Sequence, residues 1–187
     1  MHAVGGAAAL AGAIVLGPRI GKFDKDGRPR ALLGHNIPMA MFGTFILLFG
    51  WFGFNAGSAL EANGSAVLAF VNTLLATAAA VLSWSVAEWV HKGKPSMLGG
   101  ASGCVAGLVA ITPAAGFVSI PHAITIGIIA SIVSNFMVMK FPKGKIDDAL
   151  DVFACHGVGG MVGMLLTGVF ASNAINPIVG DNQGLIF

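Results

Sequence analysis

The stretch SAVLAFVNTLLATAAAVLSWSVAEWVH, residues 65–91, decides the fold, because it is apolar over most of its length and has one carboxylate, Glu88. A helix needs about 20 such residues to cross a hydrocarbon core about 30 Å thick. Glu88 stands near the end of the stretch, where a charged side chain can reach water at the membrane surface. Residues 65–91 therefore predict a transmembrane helix.

Five further stretches have the same character. The six run over 1–17, 36–58, 65–91, 97–115, 119–141 and 150–171. Helix-ending and helix-starting residues stand at their boundaries: Gly17-Pro18, Asn36 with Pro38, Pro113, Pro121 and Pro142. We predict an all-α fold, a polytopic bundle of about six transmembrane helices, with residues 1–187 forming a single transmembrane domain.

The composition excludes a water-soluble fold and several functions. Hydrophobic residues make up 56% of the chain and charged residues only 10%, whereas soluble domains carry about 25% charged residues. Without a basic run among aromatic residues, no nucleic-acid partner is expected. Cys104 and Cys155 lie in apolar stretches and are expected to pack there. Neither cysteine has metal-ligand spacing to the other, so we expect no metal site.

The basic residues are sorted by position. All ten Lys and Arg fall in alternate loops. They are Arg19, Lys22, Lys25, Arg28 and Arg30 after the first stretch, Lys92 and Lys94 after the third, and Lys140, Lys143 and Lys145 after the fifth. The positive-inside rule predicts that these loops are cytoplasmic and that both chain ends lie outside.

Small and polar residues predict how the helices associate. Gly99, Gly103 and Gly107 recur every four residues, as do Gly159 and Gly163, which predicts faces where helix backbones approach closely. Asn72 and Thr73 are expected to form hydrogen bonds between helices. Asp151 begins the helix of the sixth stretch and is expected to cap it.

Two histidines fall within the predicted membrane core. His156 lies about 12 Å along its helix from Asp148, and His2 lies about 22 Å from the helix end at Gly17, at 1.5 Å per residue. Because the two helices are antiparallel, both imidazoles are expected at similar depth. The residues alone leave three readings open: a structural polar pair, a pair of haem ligands, and a pathway for a small substrate that forms hydrogen bonds.

Five local motifs favour the third reading. They are GWFGFNAGS at 50–58, AFVNT at 69–73, GKPS at 93–96, GLVAITP at 107–113 and DVFACHGVGG at 151–160. In this order, and over essentially the whole chain, they resemble the ammonium transporter (Amt/Mep/Rh) family, most closely its Amt branch. The resemblance implies transport of ammonium or ammonia, in a plasma membrane and in the service of nitrogen uptake. It also implies no cofactor and no enzymatic activity.

The resemblance also implies roles for five residues. His2 and His156 match two histidines that meet in a narrow apolar pore of the family. Ser58 matches a serine of the outer recruitment site. Phe54 matches the inner phenylalanine of a stacked gate, and Trp51 matches a nearby aromatic residue.

Members of this family have eleven transmembrane helices, so the chain resembles helices five to ten. We expect the outer gate phenylalanine, the recruitment tryptophan, the acidic residue upstream of helix five, the last helix and the cytoplasmic tail to lie outside it. The fragment alone is expected to lack a complete pore. The resemblance further implies a homotrimer with one pore per subunit and regulation by a PII-type protein. The alternative function is that of a membrane ammonium sensor in the same family.

Overall fold

The chain folds into six α-helices in the computed structural model, which describes residues 1–141 and 146–187. The helices are α1 (His2–Leu16), α2 (Ile37–Ala56), α3 (Gly64–Lys92), α4 (Met97–Ile111), α5 (Ile120–Lys140) and α6 (Gly159–Phe170). A π-helix, Phe153–Val158, leads directly into α6, and short 3₁₀ turns cover Gly57–Ala59 and Pro177–Val179. The described residues contain no strand, only one isolated bridge between Phe23 and Pro29. The all-α prediction is confirmed.

Four helical segments are long and apolar enough to cross a membrane: Ile37–Ala59, Gly64–Lys92, Ile120–Lys140 and Phe153–Phe170. His2–Leu16 and Met97–Ile111 are apolar but have only 15 residues each. The fourth predicted stretch ran to residue 115, but α4 ends at Ile111 because Pro113 cannot continue the helix. The chain then continues as turns whose Ala114 and Ala115 are buried in the bundle.

Local side chains explain where several helices begin. The side chains of Asn36, Asn63 and Ser96 accept hydrogen bonds from backbone N–H groups in the first turns of α2, α3 and α4. Pro38 occupies the first turn of α2, where a missing N–H costs nothing. At the other end of α3, Gly93 adopts a φ of 77°, a conformation that a side chain would disfavour.

Helix α3 lies at the centre of the bundle and packs extensively on both α4 and α5. The predicted glycine face of α4 is confirmed: a Cβ at Gly103 would stand 2.7 Å from the Cβ of Trp84. Likewise, a Cβ at Gly107 would stand 2.6 Å from the Cβ of Ala80. In lipid, where apolar surface alone does not drive association, such close packing holds helices together.

Buried amides tie α3 to its neighbours. The predicted hydrogen bond between helices forms at Thr73, whereas Asn72 bonds to the turn that follows α4. The Asn72 Nδ2 group donates to the carbonyl oxygens of Ala115, at 2.9 Å, and Val118, at 2.8 Å. The Asn55 Nδ2 group of α2 donates to Thr73 Oγ1 at 3.0 Å. Asn72 therefore supplies donors to the turn after α4, whose carbonyl groups lie in the dry interior.

Arg19 joins the end of α1 to the segment before the π-helix. Its backbone N and Nε donate to Asp147 Oδ2 at 3.0 and 2.7 Å, and its second guanidinium nitrogen donates to Oδ1 at 2.8 Å. The Nζ atom of Lys22 lies 4.0 Å from Asp147 Oδ1. The Arg19 guanidinium lowers the pKa of Asp147 to about 2, despite burial. We name this end of the bundle, which also contains Lys92, the basic end. Three residues of the sequence analysis lie outside the described residues: Pro142, Lys143 and Lys145.

Glu88 is buried, contrary to the expectation that its side chain reaches water. It accepts hydrogen bonds from Lys92 Nζ at 2.8 Å and from the backbone N and Oγ of Ser96, both at 2.9 Å. Gly99 leaves the space that the carboxylate occupies. The carboxylate therefore fixes the turn between α3 and α4, since partners on both sides of the turn replace the water that burial removes.

We expect Asn72→Ala to destabilise the fold, because it leaves two buried carbonyl groups without their donors. The loss should be about 1–3 kcal/mol for each unpaired group. Thermal unfolding of the detergent-solubilised full-length protein measures it. Asn182→Ala, at an exposed asparagine, is the control; equal midpoints for the two variants would contradict the assigned role of Asn72.

Candidate functional site

The segment that bears His156 starts with two aspartates in different roles. Asp148 caps the helix: its carboxylate accepts hydrogen bonds from the backbone N–H groups of Val152 and Phe153, at 2.9 and 2.7 Å. The capping prediction for Asp151 is therefore wrong. Asp151 has a positive φ of 53°, which is uncommon outside glycine. The next residues form the π-helix, where an α-helix was predicted.

A close approach of two backbones brings the two histidine-bearing segments together. A Cβ at Gly6 of α1 would overlap the backbone of Gly157. A Cβ at Gly160 would lie 2.8 Å from the backbone N of Ala3 and 3.3 Å from the Cβ of His2. Only glycine fits at these positions, so α1 rests directly on the π-helix and the start of α6.

The two imidazole rings consequently lie side by side. The ring centroids of His2 and His156 are 5.6 Å apart, with the planes tilted by 51°. His2 also stacks on Trp51, at 5.1 Å, and lies 5.8 Å from the ring of Phe54. The His2 Nε2 atom is buried and has no hydrogen-bond partner among the described residues. A polar atom of this kind can bind a small guest that donates or accepts a hydrogen bond.

The aromatic neighbours of His2 are held from α2. Trp51 is buried, and its Nε1–H donates to Thr112 Oγ1 at 2.9 Å. The Thr112 hydroxyl in turn donates to the Leu108 carbonyl at 2.7 Å. Phe54, one turn along α2, is 40% exposed and lies 5.8 Å from Trp51. The indole is therefore fixed, while the Phe54 ring keeps an open face.

Ser58 lies at the end of α2 away from the basic end. It belongs to the 3₁₀ turn Gly57–Ala59 and is exposed, and its hydroxyl donates to the Phe54 carbonyl at 2.6 Å. The hydroxyl proton is therefore already used in a hydrogen bond. The lone pairs of the oxygen remain free to accept a hydrogen bond from a cation. The structure brings His2, His156, Trp51 and Phe54 into one cluster and places Ser58 one turn beyond it.

Three cavities surround the histidine pair. One of about 410 Å³ is lined by His2, Trp51 and Phe54, and one of about 210 Å³ by His2 and Thr112. A third, of about 400 Å³, extends from His156 to Asp151. His2 thus lines two cavities and His156 the third, which opens toward the basic end. A small guest that passed from one to the other would meet both imidazoles.

Sequence reasoning missed three residues of this site. Thr112 belongs to the GLVAITP motif, but nothing in that motif indicates that it accepts from Trp51. Gly6 lies in the first apolar stretch and Gly157 in the DVFACHGVGG motif, and only the fold shows that they face each other. No group of three or more His, Cys, Asp or Glu among the described residues could hold a metal ion.

Comparison with known proteins shows the family of this chain. The family model described as "Ammonium Transporter Family" matches residues 1–187. The chain is 53% identical, over its whole length, to an ammonium transporter of Aquifex aeolicus and covers 42% of that protein. The chain belongs to the ammonium transporter family. Because it contains several apolar membrane-spanning helices, it is a multi-pass membrane protein.

Other family members agree in sequence and in fold. The ammonium transporter of Bacillus subtilis is 47% identical over 97% of this chain, which covers 43% of that protein. The crystal structure of Saccharomyces cerevisiae Mep2 matches with a TM-score of 0.88 at 38% identity, over 99% of this chain and 42% of that one. A structure named Sensor Amt Protein matches with a TM-score of 0.87 at 38% identity, over 93% of this chain and 43% of that one. The chain thus spans less than half the length of these relatives.

Two adjacent glycines of this family member offer a matched pair of variants. A Cβ at Gly6 overlaps the π-helix, whereas a Cβ at Gly5 meets nothing within 4 Å. We expect Gly6→Ala to force α1 away from His156 and to destabilise the protein by about 1–3 kcal/mol. Gly5→Ala should leave the midpoint of thermal unfolding unchanged or slightly higher. If both variants unfolded at the same temperature, the close approach would not be a packing constraint.

Proposed function

We propose that this chain forms part of a transmembrane pathway for ammonium or ammonia. The observation that carries the proposal is the His2–His156 pair, 5.6 Å apart, with cavities on both sides. In the proposed pathway the guest arrives at the end of the bundle that contains Ser58 and leaves at the basic end. Membership of the family supports ammonium as the substrate.

The residues on the Ser58 side suit recruitment of a small cation. The Ser58 oxygen accepts a hydrogen bond from ammonium, and aromatic faces such as those of Trp51 and Phe54 attract a cation by about 0.5–2 kcal/mol per contact. The apolar ring of Phe54 then blocks the path of the guest to the two histidines. A hydrated sodium or potassium ion cannot exchange its water for such a ring at low cost.

The histidine pair suits the passage of ammonia. Ammonium can lose one proton to become neutral ammonia, which crosses an apolar segment at much lower cost than an ion. Each neutral imidazole offers one donor and one acceptor nitrogen, so the pair can bind ammonia and pass on a proton. The free Nε2 atom of His2 suits this role.

Orientation and assembly complete the proposal. The Lys- and Arg-rich loops face the cytoplasm by the positive-inside rule, and the membrane is the plasma membrane, where the protein serves nitrogen uptake. The protein assembles as a homotrimer with one pore per subunit. A PII-type protein docks at the basic end, and residues 1–187 form the central part of the transporter domain.

An ammonium sensor is the second candidate function, since the Sensor Amt Protein shares the fold of this chain. A sensor would require ammonium to alter a soluble signalling domain elsewhere in the full-length protein. Ammonium binding without ammonium current would favour it. The haem alternative is disfavoured, because the matched relatives are named as transporters.

We expect His2→Leu and His156→Leu, each made in the full-length protein, to reduce ammonium-evoked current in lipid vesicles at least about tenfold, because general acid–base groups contribute 10²–10⁴-fold. A variant that still conducts should lose its discrimination against potassium. His91→Gln, at an exposed histidine next to the basic loop, is the control. Wild-type currents and selectivity in both leucine variants would refute the pathway through this pair.

A further inference from the structure

The ion pair between Arg19 and Asp147 has no part in recruitment or in the histidine step. Three N–H groups of Arg19 donate to the two oxygens of the Asp147 carboxylate, at 2.7 to 3.0 Å. The Asp147 side chain is only 2% exposed, whereas that of Arg19 is 43% exposed. A contact with two parallel hydrogen bonds fixes direction as well as distance, so it holds the two segments in one arrangement.

The ion pair joins the two helical segments that bear the histidines. Arg19 follows Leu16, the last residue of α1, by three positions. Asp147 directly precedes Asp148, whose carboxylate caps the segment that contains His156. The pair therefore connects the basic end of α1 to the start of the π-helix.

Helix α1 has little other packing that could fix its direction. Of its residues, all of which the structure describes, only Gly6 is buried, at the contact with Gly157. Toward the basic end the side chains of α1 are exposed: Ile14 by 58%, Val15 by 85% and Leu16 by 88%. Among the described residues, the direction of α1 thus depends on the Gly6 contact and on the ion pair beyond its end.

The contact at Gly6 makes α1 a lever. His2 lies four residues to one side of it, about 6 Å along the axis, and Leu16 lies ten residues to the other side, about 15 Å. A movement of about 3 Å at Leu16 would therefore displace His2 by about 1 Å. A misplacement of about 1 Å can lower the rate of a step that depends on geometry about 100-fold.

We propose that the Arg19–Asp147 ion pair is a positioning contact for the histidine pair. It holds the basic end of α1 and so prevents a rotation about Gly6 that would move His2 relative to His156. This inference rests on the proposed function. Arg19 and Asp147 act through α1 and the π-helix, without touching the guest.

Arg19→Gln removes the guanidinium and keeps a long polar side chain. In vesicles of the full-length protein, we expect the maximal ammonium current per folded protein to fall about tenfold, because the two imidazoles lose their spacing. The half-saturating ammonium concentration should stay within about twofold of wild type, since recruitment at Ser58 is unchanged. Arg19→Lys keeps a cation at this position and should conduct more than the glutamine variant.

Two controls separate positioning from charge and from stability. Arg30→Gln removes an exposed arginine of the same loop and should change neither the maximal current nor the half-saturating concentration. Glu88→Gln weakens the buried carboxylate contact in the turn between α3 and α4. It should lower the unfolding temperature and leave the maximal current at the wild-type level, because this turn does not hold α1.

Thermal unfolding of the full-length protein tests the ion pair without transport. Arg19→Gln should lower the midpoint more than Asp147→Asn does. The carboxylate left by the first change is buried and cannot turn to water, whereas the guanidinium left by the second is partly exposed. Equal midpoints for these two variants and wild type would contradict a stabilising ion pair.

The pH dependence of unfolding follows from the carboxyl group of Asp147. Among the described residues, Arg19 and Lys22 face it from the loop after α1, and Asp148 adjoins it on its own segment. Hydrogen bonds from Arg19 lower the pKa of Asp147 to about 2, so its contribution is complete above the unfolded value of about 4 and is lost as the pH falls to about 2. The difference in midpoint between wild type and Asp147→Asn should therefore be constant from about pH 8 to about pH 5 and shrink below that.

These measurements distinguish the two proposals. If Arg19→Gln unfolded at a lower temperature but conducted like wild type, the ion pair would be merely structural, and the histidine pathway would stand. An equal loss of current in Glu88→Gln would also refute the positioning role. If the wild type carried no ammonium current, the transport proposal would fail. A crystal structure of full-length Arg19→Gln would then decide: an increase of about 1 Å between the rings of His2 and His156 supports positioning, and an unchanged distance refutes it.

Discussion

The direct contact between the backbones of Gly6 and Gly157 is the constraint on which the site depends. It sets the distance between α1 and the π-helix, and therefore the distance between His2 and His156. A single methyl group at this contact would overlap a backbone that cannot yield as a flexible side chain can. The pair of imidazoles is thus a product of packing between two glycines, and no direct bond between the rings is needed to hold them.

Similar contacts hold the rest of the bundle. Gly127 of α5 leaves no room for a Cβ against the Ala76 carbonyl, and Gly163 of α6 leaves none against the Ala110 carbonyl. Lipid solvates apolar side chains as well as protein does, so close packing and hydrogen bonds must keep the helices together. Two side chains of α3 form such hydrogen bonds: Asn72 donates to the turn after α4, and Glu88 accepts from Ser96 in the turn before α4. Rigid glycine contacts and satisfied polar groups therefore form the frame around the cavities.

The sequence allowed the helices to be predicted, because apolar length and flanking glycine, proline and capping residues act locally. It also placed His2 and His156 at similar depth, since depth follows from rise per residue. The motifs indicated Trp51, Phe54 and Ser58 only through resemblance, and their roles stay predictions. Local patterns could not indicate that Gly6 faces Gly157, that Glu88 is buried against Ser96, or that Asp148 replaces Asp151 as the cap. Each of these depends on residues that the fold brings together or on a backbone conformation that an α-helical pattern does not contain.

Buried polar atoms without a hydrogen-bond partner differ in whether they line a cavity. Among the described residues, Asn72 Oδ1, Trp84 Nε1, Ser134 Oγ and His2 Nε2 are buried without a partner. Only His2 belongs to the lining of the three cavities around the histidine pair. A dry bundle tolerates such groups at a cost, and at His2, which lines two of the cavities, a hydrogen-bonding guest can offset that cost. Because ammonium and ammonia supply donors and an acceptor between them, the unpartnered Nε2 atom of His2 is a suitable partner for the substrate that we propose.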